Sequence, residues 1–154
     1  MVLTTLKEAK RVIAIDPGGT TGFANGLLMP DGFMEVSSFQ EQWGVKQLYD
    51  YLTKAKPHYV VYERFDYRNR ARDKLVIYSR NLIGVIDLYC EQNDVPTYRY
   101  MPVTVMAYFT DKELKTNKVY KINSPHCNDA MRHLLHWYTF GYGYQFNKEG
   151  YKPA

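Results

Sequence analysis

Cysteine is scarce in this chain: Cys90 and Cys127 are the two it has. They make no close pair and no finger-like spacing, which excludes a disulfide framework or a cysteine-built zinc site and favours a reducing compartment. Long apolar runs are lacking as well. No stretch approaches the roughly 20 residues needed to span a bilayer. Residues 1–10 carry Lys7, Glu8 and Lys10 and hold no signal-peptide core. The expected location is the cytoplasm. Repeats and low-complexity segments are missing. Excess charge is small, at a formal +4, so composition gives only a weak pull toward an anionic partner. The 154 residues suit one domain with a real core. We expect a loose lead-in over 1–10, a folded domain over 11–140 and a partly ordered tail over 141–154.

Tyrosine is abundant, with 15 copies. Its flat ring and polar tip suit packing and nucleic-acid contact alike. The stretch around which the chain is organised is Arg11-Val-Ile-Ala-Ile-Asp16-Pro-Gly-Gly-Thr-Thr-Gly22. Its β-branched run, ended by Pro-Gly-Gly, predicts a buried strand over 11–16 with Asp16 at its last position. Gly18, Gly19 and Gly22 remove side chains, leaving room for an anion or metal cluster to approach the backbone. Alternatively, Asp16 is an ordinary turn residue. A second strand over 21–29, a turn at Pro30-Asp31-Gly32 and a third strand over 33–39 would complete an antiparallel meander.

Val45, Leu48, Tyr49 and Leu52 predict an amphipathic helix over 44–56, ended by Pro57. His58-Tyr-Val-Val-Tyr-Glu63 then repeats the opening arrangement, an apolar strand ending in a carboxylate. After a helical crossover the two strands would lie parallel, and Asp16 and Glu63 would emerge side by side. Carboxylates that close raise each other's pKa, and a divalent cation removes the cost. A salt bridge from Glu63 to Arg64 or Arg68 is the plainer alternative.

Positive charge concentrates directly after Glu63. Arg64, Arg68, Arg70, Arg72, Lys74 and Arg80 stand against Asp66 and Asp73, with Phe65 and Tyr67 interleaved. Guanidinium forks grip phosphates and rings stack on bases, although a charge run also suits a solvated helix face. A long helix over 72–92 is expected next, its Leu75, Tyr78, Leu82, Ile86 and Tyr89 stripe packing on the sheet. Then come a strand over 97–101 and a short helix from Pro102 to Phe109. Lys112, Lys115, Lys118 and Lys121 recur every three residues. They would form either one basic helical face or a basic loop, and either reaches phosphates. Ser124-Pro125 predicts a capped helix over 126–140. A helical projection places Cys127, Ala130, Met131, Leu134 and Tyr138 on one side and His126, Asp129, His133 and His136 on the opposite edge. His126 and Asp129 can ligate a metal together, or form an ordinary i, i+3 polar pair.

With IDPGGTTGFA, VVYERF, IGVIDLYCEQNDVPTYRYMP and HCNDAMRHLLHW in this order, the chain resembles the RuvC family of Holliday-junction resolvases, and more narrowly its shorter bacteriophage members. The resemblance covers roughly residues 11–138. It implies an α/β, ribonuclease H-like fold, a mixed five-stranded sheet flanked by helices with the first three strands antiparallel. It implies metal ligands and catalytic groups at Asp16, Glu63 and Asp129, with His126 where members carry a carboxylate or a histidine. It implies two Mg²⁺ or Mn²⁺ ions per site, a homodimer, and cleavage of branched DNA (four-way junctions, forks and flaps) to a 5′-phosphate and a 3′-hydroxyl in the bacterial host's cytoplasm. Phe65 matches the aromatic that contacts junction bases. The family's motif lysine falls on Met106, and Lys115, Lys118 or Lys121 would replace it. Two rivals remain on sequence grounds. One is a sugar-kinase-like or actin-like phosphate-binding protein, whose loop Asp16-x-Gly-Gly-Thr-x-x-Gly resembles. The other is a non-catalytic branched-DNA-binding module.

Overall fold

A computed structural model of the chain describes residues 7–64 and 74–142, with the side chains of 74–76 and 142 left aside. The expected lead-in (1–6), most of the arginine-rich segment and the tail beyond 142 lie outside the described residues. So do Phe65, Tyr67, Arg68, Arg70 and Arg72 and the side chain of Lys74.

The strands are β1 (Lys10–Asp16), β2 (Thr21–Leu28), β3 (Met34–Glu41), β4 (Tyr59–Glu63) and β5 (Thr97–Tyr100). They form one sheet in the order β3-β2-β1-β4-β5. β1, β2 and β3 pair antiparallel, while β4 joins β1 and β5 joins β4 in parallel. Parallel neighbours need crossovers, and the helices α1 (Val45–Ala55) and α2 (Lys74–Gln92) supply them. Gln47 Oε1 accepts from the Gly44 N–H at the start of α1, and Lys56 closes it in the left-handed region (φ 49°). Leu48 and Leu52 are its buried stripe.

Side chains alternate across a strand, so each strand feeds two cores. Ile13, Ile15, Phe23, Val60 and Tyr62 pack with Leu48 and Leu52 of α1 and Leu82, Ile86, Tyr89 and Cys90 of α2. Val12, Ala14, Ala24, Leu28 and Val61 face the other way, onto Ala130, Met131 and Leu134 of α5 (Pro125–His136) and onto Trp137. Two short helices, α3 (Pro102–Tyr108) and α4 (Asp111–Thr116), lead to α5, and a π-helical turn over Trp137–Tyr142 follows it. Both cysteines are free and buried. Among the described residues no helix is long and apolar enough to cross a membrane.

Candidate active site

Parity along β1 and β4 decides where the carboxylates go. Asp16 shares a face with Val12 and Ala14, and Glu63 shares it with Val61; both therefore point toward α5. The parallel register pairs Ile15 with Tyr62, so its next step sets Asp16 beside Glu63. Asp16 is 8 % exposed.

The α5 face of the sheet is lined with small residues. Gly22 lies opposite Asp16, and Ala24 opposite Ala14. A Cβ placed on Gly22 would stand 1.9 Å from the carbonyl oxygen of His126. The glycine is thus occupied by the backbone of α5. This corrects the expectation that Gly22 leaves room for a ligand. Gly18, whose nearest atom would be the Thr20 carbonyl oxygen at 3.2 Å, keeps the more open position. Close docking of α5 brings His126 Nδ1 to 3.0 Å from Asp16 Oδ2. Hydrogen bonding to Asp16 raises the His126 pKa, against the effect of burial, and the charges of Asp16 and Asp129 add to the rise.

Burial raises the Glu63 pKa first. Hydrogen bonding to Asp16, its charge and the charge of Asp129 raise it further. Asp129 is also raised, by burial and by Asp16, with Arg132 and His126 opposing. The environment of Glu63 is thus that of a carboxylate among carboxylates, and Arg64 beside it is exposed. Asp16, Glu63, His126 and Asp129 sense one another although they come from three elements.

One residue that the sequence did not single out completes the arrangement. Arg132 is buried, 4 % exposed. Its Nη1 donates to Asp129 Oδ1 at 2.9 Å, its Nε to the Phe109 carbonyl at 2.8 Å, and its Nη2 to Asp111. The signal was present as an Asp–Arg pair spaced i, i+3. A buried guanidinium bound on three sides holds Asp129 against the start of α4 and offsets part of the local negative charge.

The rest of α5 departs from the helical projection. His133 and His136, expected on a polar edge, are buried beside Cys127, Ala130 and Leu134. The projection assumed one packing partner, whereas α5 touches the sheet on one side and α3 and α4 on another. Burial pushes the His133 pKa down to about 4 although Asp16 pulls the other way. Among the described residues, Nδ1 of His133 and of His136 has no hydrogen-bond partner. Ser124 does not cap with its side chain, and Oγ donates instead to the Ile122 carbonyl at 3.3 Å.

The lysines do not share one face. α4 ends at Thr116, so Lys112 and Lys115 are helical, whereas Lys118 adopts φ 60° beyond it. Lys115 Nζ sits 4.7 Å from the Tyr120 ring centroid, and Lys121 Nζ donates to the Ser38 carbonyl of β3.

Three carboxylates and one imidazole are an oxygen-dominated donor set of the kind that suits Mg²⁺ or Mn²⁺. The rise in the pKa of Glu63 and Asp129 is a cost that such a cation cancels. Among the described residues, no three His, Cys, Asp or Glu side chains stand together as a finished cation cage. Asp16 is engaged by His126, and Asp129 by Arg132. The residue types fit the ion, while their described positions, tied up by His126 and Arg132, do not by themselves form its cage.

No family model and no curated protein matches the chain. Among solved structures it is similar to Thermus thermophilus RuvC in complex with a Holliday junction substrate, with a TM-score of 0.64 and 18 % identity over 86 % of this chain and 96 % of that one. A second structure of Thermus thermophilus RuvC gives a TM-score of 0.63, with the same identity and coverage. The mixed sheet with its antiparallel first three strands, and the helices on both faces, are the fold of RuvC.

Proposed function

We propose that the chain is a structure-selective, metal-dependent endonuclease that resolves Holliday junctions and other branched DNA. The observation that carries this reading is the convergence of Asp16, Glu63 and Asp129 on the α5 side of the sheet: strand register sets Asp16 beside Glu63, and the Asp16 charge raises the pKa of both Glu63 and Asp129. A fold shared with a protein described in complex with a Holliday junction substrate supports it.

Divalent cations bound by Asp16, Glu63, Asp129 and His126 would supply activation of the attacking water and stabilisation of the leaving oxygen without a protein general base. The chain's own contribution is positional. The end of β1 fixes Asp16 at the centre. β4 holds Glu63 one step to the side, and Arg132 fixes one oxygen of Asp129. His126 Nδ1 stands 3.0 Å from Asp16 Oδ2, and a neutral imidazole there would have a ring nitrogen free to ligate. Arg64 and the basic residues after it would receive phosphates next to the reacting bond. Two protomers, each with one such site, would cut two strands of a four-way junction and leave 5′-phosphates and 3′-hydroxyls.

The test compares a labelled four-way junction with linear duplex of the same sequence, with and without Mg²⁺. Paired incisions in the junction alone, and only with Mg²⁺, are expected. Equal cutting of the linear duplex would reject structure selectivity. Tight junction binding without incision in Mg²⁺ or Mn²⁺ would favour the non-catalytic module.

A further inference from the structure

Beside the entry to α5 lies a shallow depression lined by Lys115, Lys118, Tyr120 and Ile122. Ile122 is 78 % exposed, the most exposed large hydrophobic residue among those described. A single exposed isoleucine on a surface is ordinary. This one is distinguished by how firmly it is presented. On one side, the Lys121 N–H donates to Asn128 Oδ1 at 2.8 Å, and Asn128 Nδ2 returns a hydrogen bond to the Lys121 carbonyl at 2.9 Å. Asn128 is itself buried. The Lys121 ammonium is tied to β3 through Ser38. On the other side, Asn123 adopts a left-handed φ of 56°, and Ser124 Oγ donates to the Ile122 carbonyl. The apolar side chain thus stands on a braced tip four residues before His126.

The chemistry of the depression selects its occupant. Two ammonium groups and no carboxylate line it, which disfavours a basic partner. The branched aliphatic side chain of Ile122 offers apolar surface beside those charges, while the Tyr120 ring packs against the core and holds Lys115 over its face. A polyanion with flat apolar faces satisfies both features, and nucleic acid is that polymer. We propose that Ile122 is an apolar wedge that packs against a base at the point where DNA strands diverge, with Lys115 and Lys118 on the flanking phosphates. This rests on the branched-DNA reading above and adds the element that senses the branch. Apolar wedges enter between base steps, and their cost is lowest where stacking is already broken.

The experiment uses the full chain and four-way junctions that carry 2-aminopurine at one branch-flanking position at a time, in Ca²⁺ buffer. The wild-type chain should raise fluorescence at one or more of these positions and leave an interior arm position unchanged. Ile122→Ser should remove most of that rise and weaken junction binding by about ten-fold, with affinity for linear duplex unaltered. Ile122→Leu should restore both, and Lys118→Ala should weaken binding while keeping the fluorescence rise. If the wild-type chain binds the junction selectively and Ile122→Ser matches it in fluorescence and affinity, the wedge is overturned and the branched-DNA reading stands. Loss of self-association in Ile122→Ser with junction fluorescence intact would assign the tip to contact between copies, and would also overturn it. If the wild-type chain shows no preference for the junction, the reading beneath the proposal fails first.

Discussion

Gly22 and Phe23 are adjacent in β2 and face opposite layers. Phe23 enters an aromatic nest, stacked on Phe39 at 4.7 Å and packed against Trp43 and Tyr51 at 5.2 and 5.1 Å. Gly22 enters nothing, because the backbone of α5 fills the place its side chain would take. The contrast extends across the sheet. The layer under α1 and α2 is large, branched and aromatic, and its buried polar groups Thr21 and Ser79 both donate to backbone carbonyls. The layer under α5 is built on Ala14, Gly22, Ala24 and Gly26, and it holds Asp16, Asn128, Arg132, His133 and His136. Both faces bury apolar area, the α5 side through Val12, Leu28, Met131, Leu134 and Trp137, but only one keeps its polar groups few. The other gives some of that area up so that a helix can lie close enough to bring charges together.

The comparison can be broken at four points. The largest effect belongs to the charges. Asp16→Asn or Asp129→Asn should lower junction incision by about a thousand-fold while junction binding is kept. Incision at the wild-type rate in either variant would remove these residues from the site. Glu63→Gln should raise the melting temperature without divalent cation, because it deletes a buried carboxylate opposed by two others. A fall in melting temperature would show that the α5 face is not under that strain.

Next come the adjacent pair. Phe23→Ala should cost roughly 3–5 kcal/mol in denaturant unfolding, with incision per folded molecule retained. Gly22→Ala should cost less stability, roughly 1–3 kcal/mol, yet abolish incision, because α5 must move off Asp16. Equal loss of activity in the two folded variants would erase the distinction between the faces.

The third effect is acid sensitivity. His133 has a folded pKa lowered to about 4, so between that value and the ordinary histidine range the unfolded chain binds more protons. Stability should therefore fall as pH drops through that window, and His133→Leu should flatten the fall. An unchanged profile would place His133 elsewhere than in the buried layer. Glu63 has the opposite sign. Its raised folded pKa makes the native state bind more protons above the usual carboxyl range, so stability falls as pH rises there. Added Mg²⁺ should reduce that slope. The smallest effect is Arg132→Lys, which keeps charge but loses the fork. It should lower incision by about ten-fold with binding intact, and no change would deny Arg132 its hold on Asp129.

The strands and their terminal carboxylates were legible in the sequence because apolar runs, glycine turns and strand parity are local rules. Asp16 and Glu63 could be placed side by side from a crossover argument alone. Gly22 was misread because a missing side chain does not say which atoms take its space. His133 and His136 were misread because α5 meets more than one neighbour, and a projection onto one wheel allows only one. The lysine spacing suggested a common face, but the helix stops at Thr116 and two lysines lie beyond it.

The partners Asp16 and His126 are separated by 110 positions, and α5 follows all five strands in the chain. All five strands are complete in the chain by Tyr100, before the α5 residues that face Asp16 have been made, so the acidic end of β1 waits on the last packing step for its imidazole partner.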